Sequence, residues 1–321
     1  METLESKRES HEQMIGRVVA LHFGENPKDV ERMTKGICNE VYNVKLTDKE
    51  IIARLSKEDY FLKGSSYRIP IFKKLGINVP DVLGEDYSKT EIPYSYQFLS
   101  KMEGKDIGDV IADLTDDQLR EIAVEISNII DKVRAIPATD KFGLIWSQEF
   151  TELSDTWTER MKIWVDETIE RGTKTGIMDD EMRSILEGIY EEYKSYFDQV
   201  KPVSYLGDIS SKNVMIDNGK FVGLVDLDGA GQGDPLEAIG RIQASWFGTH
   251  YGKVYTDAIA DNQKLDSDQR KIVLMYALLN RISWTCENGI QFNQNTSSII
   301  DRESEKKDKD IIRALYKELK A

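Results

Sequence analysis

Cysteine is almost absent from this chain. Cys38 and Cys286 are the only two in 321 residues, too few for a disulfide framework and in keeping with a reducing compartment. Long apolar runs are missing altogether, so no membrane helix is expected. The opening METLESKRESHEQ is charged and has no apolar core, and it does not read as a signal peptide. These absences point to the cytoplasm. Histidine is scarce: His11, His22 and His250 are the only three. None has metal-ligand spacing, so packing or surface roles are expected. Positive charge is in deficit. A net charge of −14 argues against nucleic acid as a partner and is compatible with a cationic small molecule. Internal repeats and low-complexity segments are also lacking. What remains is 40% hydrophobic and 31% charged, a globular composition with enough chain for one large domain or two lobes.

The pattern along the chain divides near residue 100. Before it, short β-like runs, VYNVKL and EIIARL, are followed by a helix that ends near Leu75-Gly76. NVPDVLGED and EIPYSYQFLS then read as strands. After it the chain is mostly helical. TDDQLREIAVEISNIIDKVRAIP opens with a capping box, Thr115 and Gln118, and carries Leu119, Ile122, Ala123, Ile126, Ile129, Ile130 and Val133 at helical spacing. That stripe is a core face. The aromatics of SWFGTHYGKVY and RISWTCENG are either core or the lining of a pocket.

The exception to the helical trend is NVMIDNGKFVGLVD, residues 213–226. Asn218-Gly219 is a strong two-residue hairpin signal, because a type I′ turn needs positive φ at both positions. With that turn, Asp217 pairs with Lys220 and Asn213 faces Leu224. Asp226 then shares a face with Leu224 and with Asn213. Diagonal neighbours of this kind lie roughly 7–8 Å apart. An amide oxygen and a carboxylate at such a separation can hold one divalent ion.

Immediately upstream is YLGDISSKNVMI, residues 205–216. Asp208 precedes Asn213 by five positions, the spacing of the protein-kinase catalytic loop. There the aspartate accepts the proton of the attacking hydroxyl and the asparagine holds Mg²⁺. Phosphoryl transfer needs these types: an oxyacid beside the attacking oxygen, and hard oxygen donors for the metal that neutralises the phosphates. Taken alone, a Gly-Asp turn is an ordinary turn former.

Together with GLVDLDGAGQGDPLEAIGRI, this run resembles the aminoglycoside phosphotransferase and choline-kinase-like family. That family is similar in fold to the protein kinases. The resemblance is densest over 204–242 and extends more loosely over 30–136. It implies an α+β, two-lobed protein-kinase-like fold, with a small β-sheet nucleotide-binding lobe at 1–102 and a larger, mainly helical catalytic and acceptor-binding lobe at 103–321. It implies that Asp208 is catalytic, that Asn213 and Asp226 bind Mg²⁺, and that Asp234 of the Gly-Asp-Pro braces the lobe. The family usually has histidine at the position of Leu206, where the side chain packs under the loop.

In the smaller lobe MTKGICNEVYNVKL resembles the nucleotide-covering hairpin, with Gly36 its only glycine. Arg54 of IIARLSK falls where the family places the basic residue on the α- and β-phosphates. The usual partner glutamate falls on or near Arg68; Glu58 and Glu40 are candidates to take its place, and the sequence does not decide the partner. YQFLSKMEG aligns with the adenine-binding hinge, lined by Leu99, Ser100, Lys101 and Met102.

The implied activity is Mg²⁺-dependent transfer of the γ-phosphate of ATP or GTP to a hydroxyl of a small molecule. An aminoglycoside antibiotic, hence a resistance enzyme, is the family-level acceptor. Macrolides, choline-like alcohols and sugars stand behind it. A catalytically silent nucleotide-binding homologue is the alternative. A protein kinase is disfavoured, because LDGAGQGDP returns to the lobe with no activation segment. Residues 141–199 hold 14 acids and 7 bases. That acidity either attracts a cationic acceptor or coats a solvated helix face.

Overall fold

The structure is a computed structural model that describes residues 9–36, 39–149, 151–209 and 212–321. The N-terminal part is built on one antiparallel sheet. Helix α1 (His11–Phe23) starts at a Ser10–Gln13 capping box and stops at Gly24, which takes the left-handed conformation at φ 74°. It is followed by β1 (Asp29–Met33), β2 (Glu40–Lys45), β3 (Glu50–Ser56), α2 (Tyr60–Lys74), β4 (Val82–Asp86) and β5 (Ser95–Ser100). The strand order is β1-β2-β3-β5-β4. Met14, Ile15, Val18 and Val19 of α1 close one core against Tyr42, Val44, Ile51, Ala53, Leu55 and Phe98 of the sheet.

Past the connection at 101–104 come β6 (Lys105–Asp106), the one-turn α3 (Ile107–Val110) and α4 (Asp116–Arg134). The strands β7 (Phe142–Ile145) and β8 (Thr151–Ser154) lead to the helices α5 (Trp157–Thr175) and α6 (Asp180–Phe197). Then follow β9 (Val203–Leu206), β10 (Val214–Asp217), β11 (Lys220–Leu224) and β12 (Ala230–Gly233). Four helices complete the chain: α7 (Leu236–Trp246), α8 (His250–Asn262), α9 (Ser267–Thr285) and α10 (Arg302–Leu319). Two small sheets, β11-β10-β6 and β8-β7-β12-β9, pack against α4 and α5. The α4 stripe from Leu119 to Val133 is buried as its spacing predicts, with the Thr115–Gln118 capping box in place. Its core also takes in Ile69 and Phe72 of α2 and Leu99 of β5, so the larger core reaches back to the N-terminal sheet.

Three tyrosine and tryptophan side chains brace the start of α7. Asp234 accepts from Tyr196 Oη, from Tyr276 Oη at 2.9 Å and from Leu236 N at 3.0 Å. Trp157 Nε1 donates to Tyr276 Oη at 2.8 Å. One buried carboxylate thus links α5, α6, α7 and α9. Burial raises its pKa against the lowering effect of these donors.

The hairpin departs from its expected register. Asn218 and Gly219 have φ 48° and 76°, and Asp217 pairs with Lys220. A bulge between Met215 and Ile216 then shifts the ladder, and Val214, not Asn213, faces Leu224. Asn213 lies opposite Val225, whose N–H donates to Asn213 O at 2.9 Å. The extra residue of a bulge resets the inward-outward alternation, so the shared-face reasoning from an unbroken ladder does not hold.

The histidines take packing and surface roles. His11 meets Glu40 at 2.6 Å and Tyr94 Oη at 3.0 Å, His22 reaches Leu83 O and His250 reaches Asp116. In the 141–199 stretch, Asp155, Asp166, Glu181, Glu187 and Glu192 are exposed and face Lys141, Lys162, Arg313, Arg183 and Lys320. Such pairs are those of a solvated surface. No described helix is long and apolar enough to cross a membrane.

Candidate active site

The loop after β9 is shaped by close backbone approaches. Gly207 N donates to Gly229 O at 2.8 Å. A Cβ on Gly229 would meet Asp208 Cβ at 2.9 Å, so only glycine lets the segment after β11 lie against Asp208. Asn213 is buried, and its Nδ2 donates to Asp208 O at 2.7 Å. That bond fixes the loop and leaves Asn213 Oδ1 as the amide's acceptor.

Asp226 comes to the same place by a different route from strand alternation. It has φ +53°, a left-handed conformation that aspartate tolerates better than most residues. The chain therefore leaves β11 in a kink that turns this carboxylate into the cleft. Its side chain is 47% exposed. Its carboxyl is nonetheless held above the ordinary carboxylate range, first by enclosure in the cleft, then by the charges of Asp228 and Asp208, with Arg54 opposing.

This donor set suits Mg²⁺. One amide oxygen and one carboxylate are hard oxygen ligands, and Mg²⁺ ordinarily completes its shell with water and phosphate. Carboxylates crowded enough to retain a proton are also groups that a cation relieves. Among the described residues no cluster of three or more His, Cys, Asp or Glu forms a metal cage. Asp226→Ala should raise the Mg²⁺ needed for nucleotide binding. Adding Asn213→Ala should then cost less than the sum of the two single effects, because the two share one ion. Strict additivity in binding titrations would contradict a shared ion.

The pH dependence has a definite sign. With a raised pKa the native state holds more protons than the unfolded chain between the ordinary carboxylate range and the raised value, and stability from this group falls as pH rises through that window. A bound cation displaces the proton. The increase in Tm caused by Mg²⁺ should therefore grow between about pH 5 and about pH 8. A Tm increase constant over that range would contradict metal binding at Asp226.

Arg54 is not a solvated strand end. It is 5% exposed. Its Nη1 donates to Ser65 Oγ at 2.7 Å and Gln97 Oε1 at 3.4 Å. Its Nη2 donates to Asp228 Oδ2 at 2.6 Å and lies 3.5 Å from Asp226 Oδ1. Asp228 also accepts from Ser65 Oγ and from Asn39 Nδ2 at 3.4 Å. The partner of Arg54 is thus neither Glu40 nor Glu58. Glu40 is taken up by His11 and Tyr42, and Glu58 is exposed. Arg68 makes no ion pair with Arg54. Its Nη1 donates to the carbonyls of Leu227 (3.2 Å), Asp228 (3.3 Å) and Trp146 (3.3 Å). Burial lowers its pKa and Asp228 raises it. Both arginines therefore hold the segment that carries Asp226 and Asp228. Gly64, which has no room for a Cβ against Trp146 O, lets α2 approach closely enough to present Ser65 and Arg68.

The connecting segment is part strand and part surface. Leu99 is buried opposite Ile52. Ser100 N and Oγ both bond Asp81, Lys101 forms an ion pair with Glu50, and Met102 packs beside Gly223 of the hairpin. Gly36, at φ 95°, lies above a cavity of about 330 Å³ with Lys35, Asp106, Asp109 and Lys212. Lys35 is paired with Asp106 and Asp109 across it. Residues 37–38 of the covering hairpin lie outside the described residues.

On the other side of Asp208 stand two acids that motif spacing did not reveal. Glu237 of α7 accepts from Asn280 at 3.1 Å and lies 3.6 Å from Arg241. Glu287 accepts from Arg171 at 3.1 Å. Burial raises both carboxyls, the arginines lower them, and each feels the charge of Asp208. Arg241 stacks over Trp284 at 5.8 Å, so the aromatic of RISWTCENG borders this wall. Tyr255 of SWFGTHYGKVY is core.

Leu206 ends β9 opposite Ala230, buried in the larger core. A histidine there would have two ring nitrogens to satisfy, whereas leucine has none. Leu206→His should change kcat modestly in either direction, by at most roughly tenfold. If the parent proved inert and only Leu206→His turned over, the loop would have to be read as silent.

An antiparallel sheet over a helical lobe, with a kinase-type aspartate-asparagine loop and a second aspartate facing one cleft, defines the class of two-lobed, protein-kinase-like phosphotransferases. The chain belongs to the phosphotransferase enzyme family, whose model matches residues 29–271. No curated protein sequence matches it. Among solved structures it is similar to wild-type aminoglycoside 2′-phosphotransferase-IIIa in its GDP complex, at TM-score 0.71 and 14% identity over 96% of this chain and 99% of that one. It is also similar to a thermostable mutant of aminoglycoside phosphotransferase APH(4)-Ia in ternary complex with AMP-PNP and hygromycin B, at 0.70 and 15% over 94% and 98%. A protein assigned as a fructosamine-3-kinase from Haemophilus somnus 129PT matches at 0.64 and 15% over 94% and 96%. Family and neighbours support nucleotide-dependent phosphorylation of a small molecule.

Proposed function

We propose that this protein transfers the γ-phosphate of ATP or GTP to a hydroxyl of a small molecule, with residues 1–102 as the nucleotide lobe and 103–321 as the catalytic and acceptor lobe. The observation that carries the reading is convergence on one cleft. The Asn213 amide is fastened to the Asp208 carbonyl, Gly229 lets the segment that carries Asp226 lie against Asp208, and the Asp226 carboxyl lies within reach of the charge of Asp208. Asp208 orients the acceptor hydroxyl and takes its proton as that oxygen bonds to the γ-phosphorus. The bond from the γ-phosphorus to the β-phosphate oxygen breaks, and the nucleoside diphosphate leaves. Asn213 and Asp226 hold Mg²⁺, which when bound neutralises phosphate charge. Arg54, fixed by Asp228, supplies positive charge to the α- and β-phosphates. Leu99, Ser100, Lys101 and Met102 line the adenine side, and Gly36 covers the phosphates. Most of the rate then comes from positioning and charge neutralisation.

The acceptor we propose is an amino sugar of the aminoglycoside class, which would make the protein a resistance enzyme of the cytoplasm. Support comes from Glu237 and Glu287, two carboxylates within electrostatic reach of Asp208, whose arginine partners Arg241 and Arg171 an ammonium group of the acceptor would join or displace. Asp166 of α5 and Glu181, Glu187 and Glu192 of α6 are instead paired with surface lysines and arginines. A nucleotide-consumption screen tests this over aminoglycosides, macrolides, choline, methylthioribose, homoserine and fructosamines. Turnover of an aminoglycoside whose KM rises steeply with salt is expected. A neutral preferred acceptor would overturn the acceptor assignment. Nucleotide binding with no turnover of any acceptor would favour the silent homologue.

A further inference from the structure

The nucleotide-covering turn is held from across the cleft by a segment near the other end of the chain. Between α9 and α10, residues 288–301 form a loop pinched at its base. Asn288 Nδ2 donates to Asp301 O at 2.8 Å, and Asp301 N donates to Asn288 Oδ1 at 2.9 Å. Within the loop, side chains do the work of a ladder. Thr296 Oγ1 accepts from Phe292 N at 2.7 Å, and Asn293 Oδ1 accepts from Asn295 N at 2.7 Å. A loop shaped this way presents two amides to one acceptor. Asn295 Nδ2 and Asn293 Nδ2 lie 2.9 Å and 3.3 Å from Gly36 O. Gly36 sits in the left-handed region at φ 95°, where a side chain would be strained, so the glycine sets the direction of that carbonyl. Asn295 and Thr296 also form one wall of the 330 Å³ cavity, opposite Lys35 and beside Lys212.

The contact is not a fully satisfied one. Asn295 Oδ1 is buried and has no hydrogen-bond partner among the described residues. Turning the amide over would set that oxygen against Gly36 O, which is worse. The closed arrangement therefore gains two amide hydrogen bonds and bears one orphaned acceptor, a balance that leaves it reversible.

We infer that the 288–301 loop is a clasp on the covering turn, with Asn293 and Asn295 as positioning residues that hold Gly36 over the cavity it lines with Lys35 and Lys212 and slow the escape of bound nucleotide. This rests on the proposed nucleotide site. A turn already held in its binding shape need not be ordered by the ligand, and a population that is only partly held binds more weakly in proportion. The same loop belongs to the acceptor-side lobe, so the clasp ties nucleotide retention to the state of that lobe.

The test is calorimetric titration of the full-length chain with Mg–AMP-PNP. The parent, Asn293→Ala/Asn295→Ala and the near-isosteric Asn295→Asp are compared, with Tm as the fold control. The double variant should bind roughly tenfold more weakly, mainly through faster release, at unchanged Tm. Asn295→Asp keeps the volume but loses the donor, so it should weaken binding as well, which a space-filling role would not predict. In the parent, nucleotide should raise hydrogen-exchange protection at 34–36 and at 291–297 together. If the parent binds and both variants bind within about twofold of it, the clasp is overturned while the kinase reading stands. If the variants do not fold, the parent's exchange decides: no added protection at 291–297 overturns the clasp. A parent that binds no nucleotide at all overturns both.

Discussion

Asp208→Asn is expected to remove phosphoryl transfer and to leave Mg–nucleotide binding nearly intact. The two halves of that result come from one geometry. In the proposed mechanism Asp208 acts on the acceptor side, where Glu237 and Glu287 lie within reach of its charge. The nucleotide is held by other groups. Asparagine keeps the shape, and the backbone carbonyl that receives Asn213 Nδ2 is unchanged, so the loop and the Asn213 amide stay in place. What is lost is the proton acceptor and one negative charge. General-base contributions commonly amount to a hundredfold to ten-thousandfold, so kcat should fall by at least about a hundredfold while the nucleotide Kd moves little. A variant that kept most of its activity would overturn the assignment of Asp208. A variant that lost nucleotide binding would show that Asp208 serves the metal instead. Single-turnover assays beside binding titrations separate the two.

The second large effect is expected at Arg54 and Asp228. Their side chains are 6% and 9% exposed, so neither charge has water to fall back on. Removing one partner of a buried pair leaves the other uncompensated, at about 3–5 kcal/mol. Arg54→Met strands Asp228 with Ser65 and Asn39 as its side-chain donors among the described residues. Asp228→Asn leaves Arg54 with the more distant Asp226. Each single change should shift the urea midpoint strongly and weaken nucleotide binding. The double change should lose much less stability than the sum of the singles, because it removes both charges, yet it should not recover nucleotide affinity, since the cation proposed for the phosphates is gone. Additive losses in stability would mean the pair is not a unit. Full nucleotide affinity in the double variant would mean Arg54 has no part in binding.

Local signals were legible wherever the physics is local. The α4 capping box, the Asn218-Gly219 turn and the helical stripe of buried isoleucines depend on residues a few positions apart, and each is found where spacing places it. The spacing from Asp208 to Asn213 and on to Asp226 is local enough to identify the loop and, through resemblance, the family. The bulge at Met215 was not legible. The extra residue is Val222 of β11, skipped between Phe221 and Gly223; the neighbouring Gly223 is a residue type that bulges favour, but a lone glycine does not fix where the register shifts.

The sequence by itself determined the hairpin turn, and its motif spacing, through family resemblance, implied the α+β kinase-like class and singled out Asp208, Asn213 and Asp226, because turn chemistry and motif spacing act over short range. Only the tertiary structure decided who answers Arg54. Asp228 and Ser65 lie 174 and 11 residues away from it, and their meeting needs the N-terminal sheet, α2 and the turn after β11 to be packed together. The same holds for the left-handed kink that turns Asp226 inward and for Asn293 and Asn295 on Gly36. A buried charge is answered by whichever group the fold brings within reach, and sequence separation carries no record of that distance.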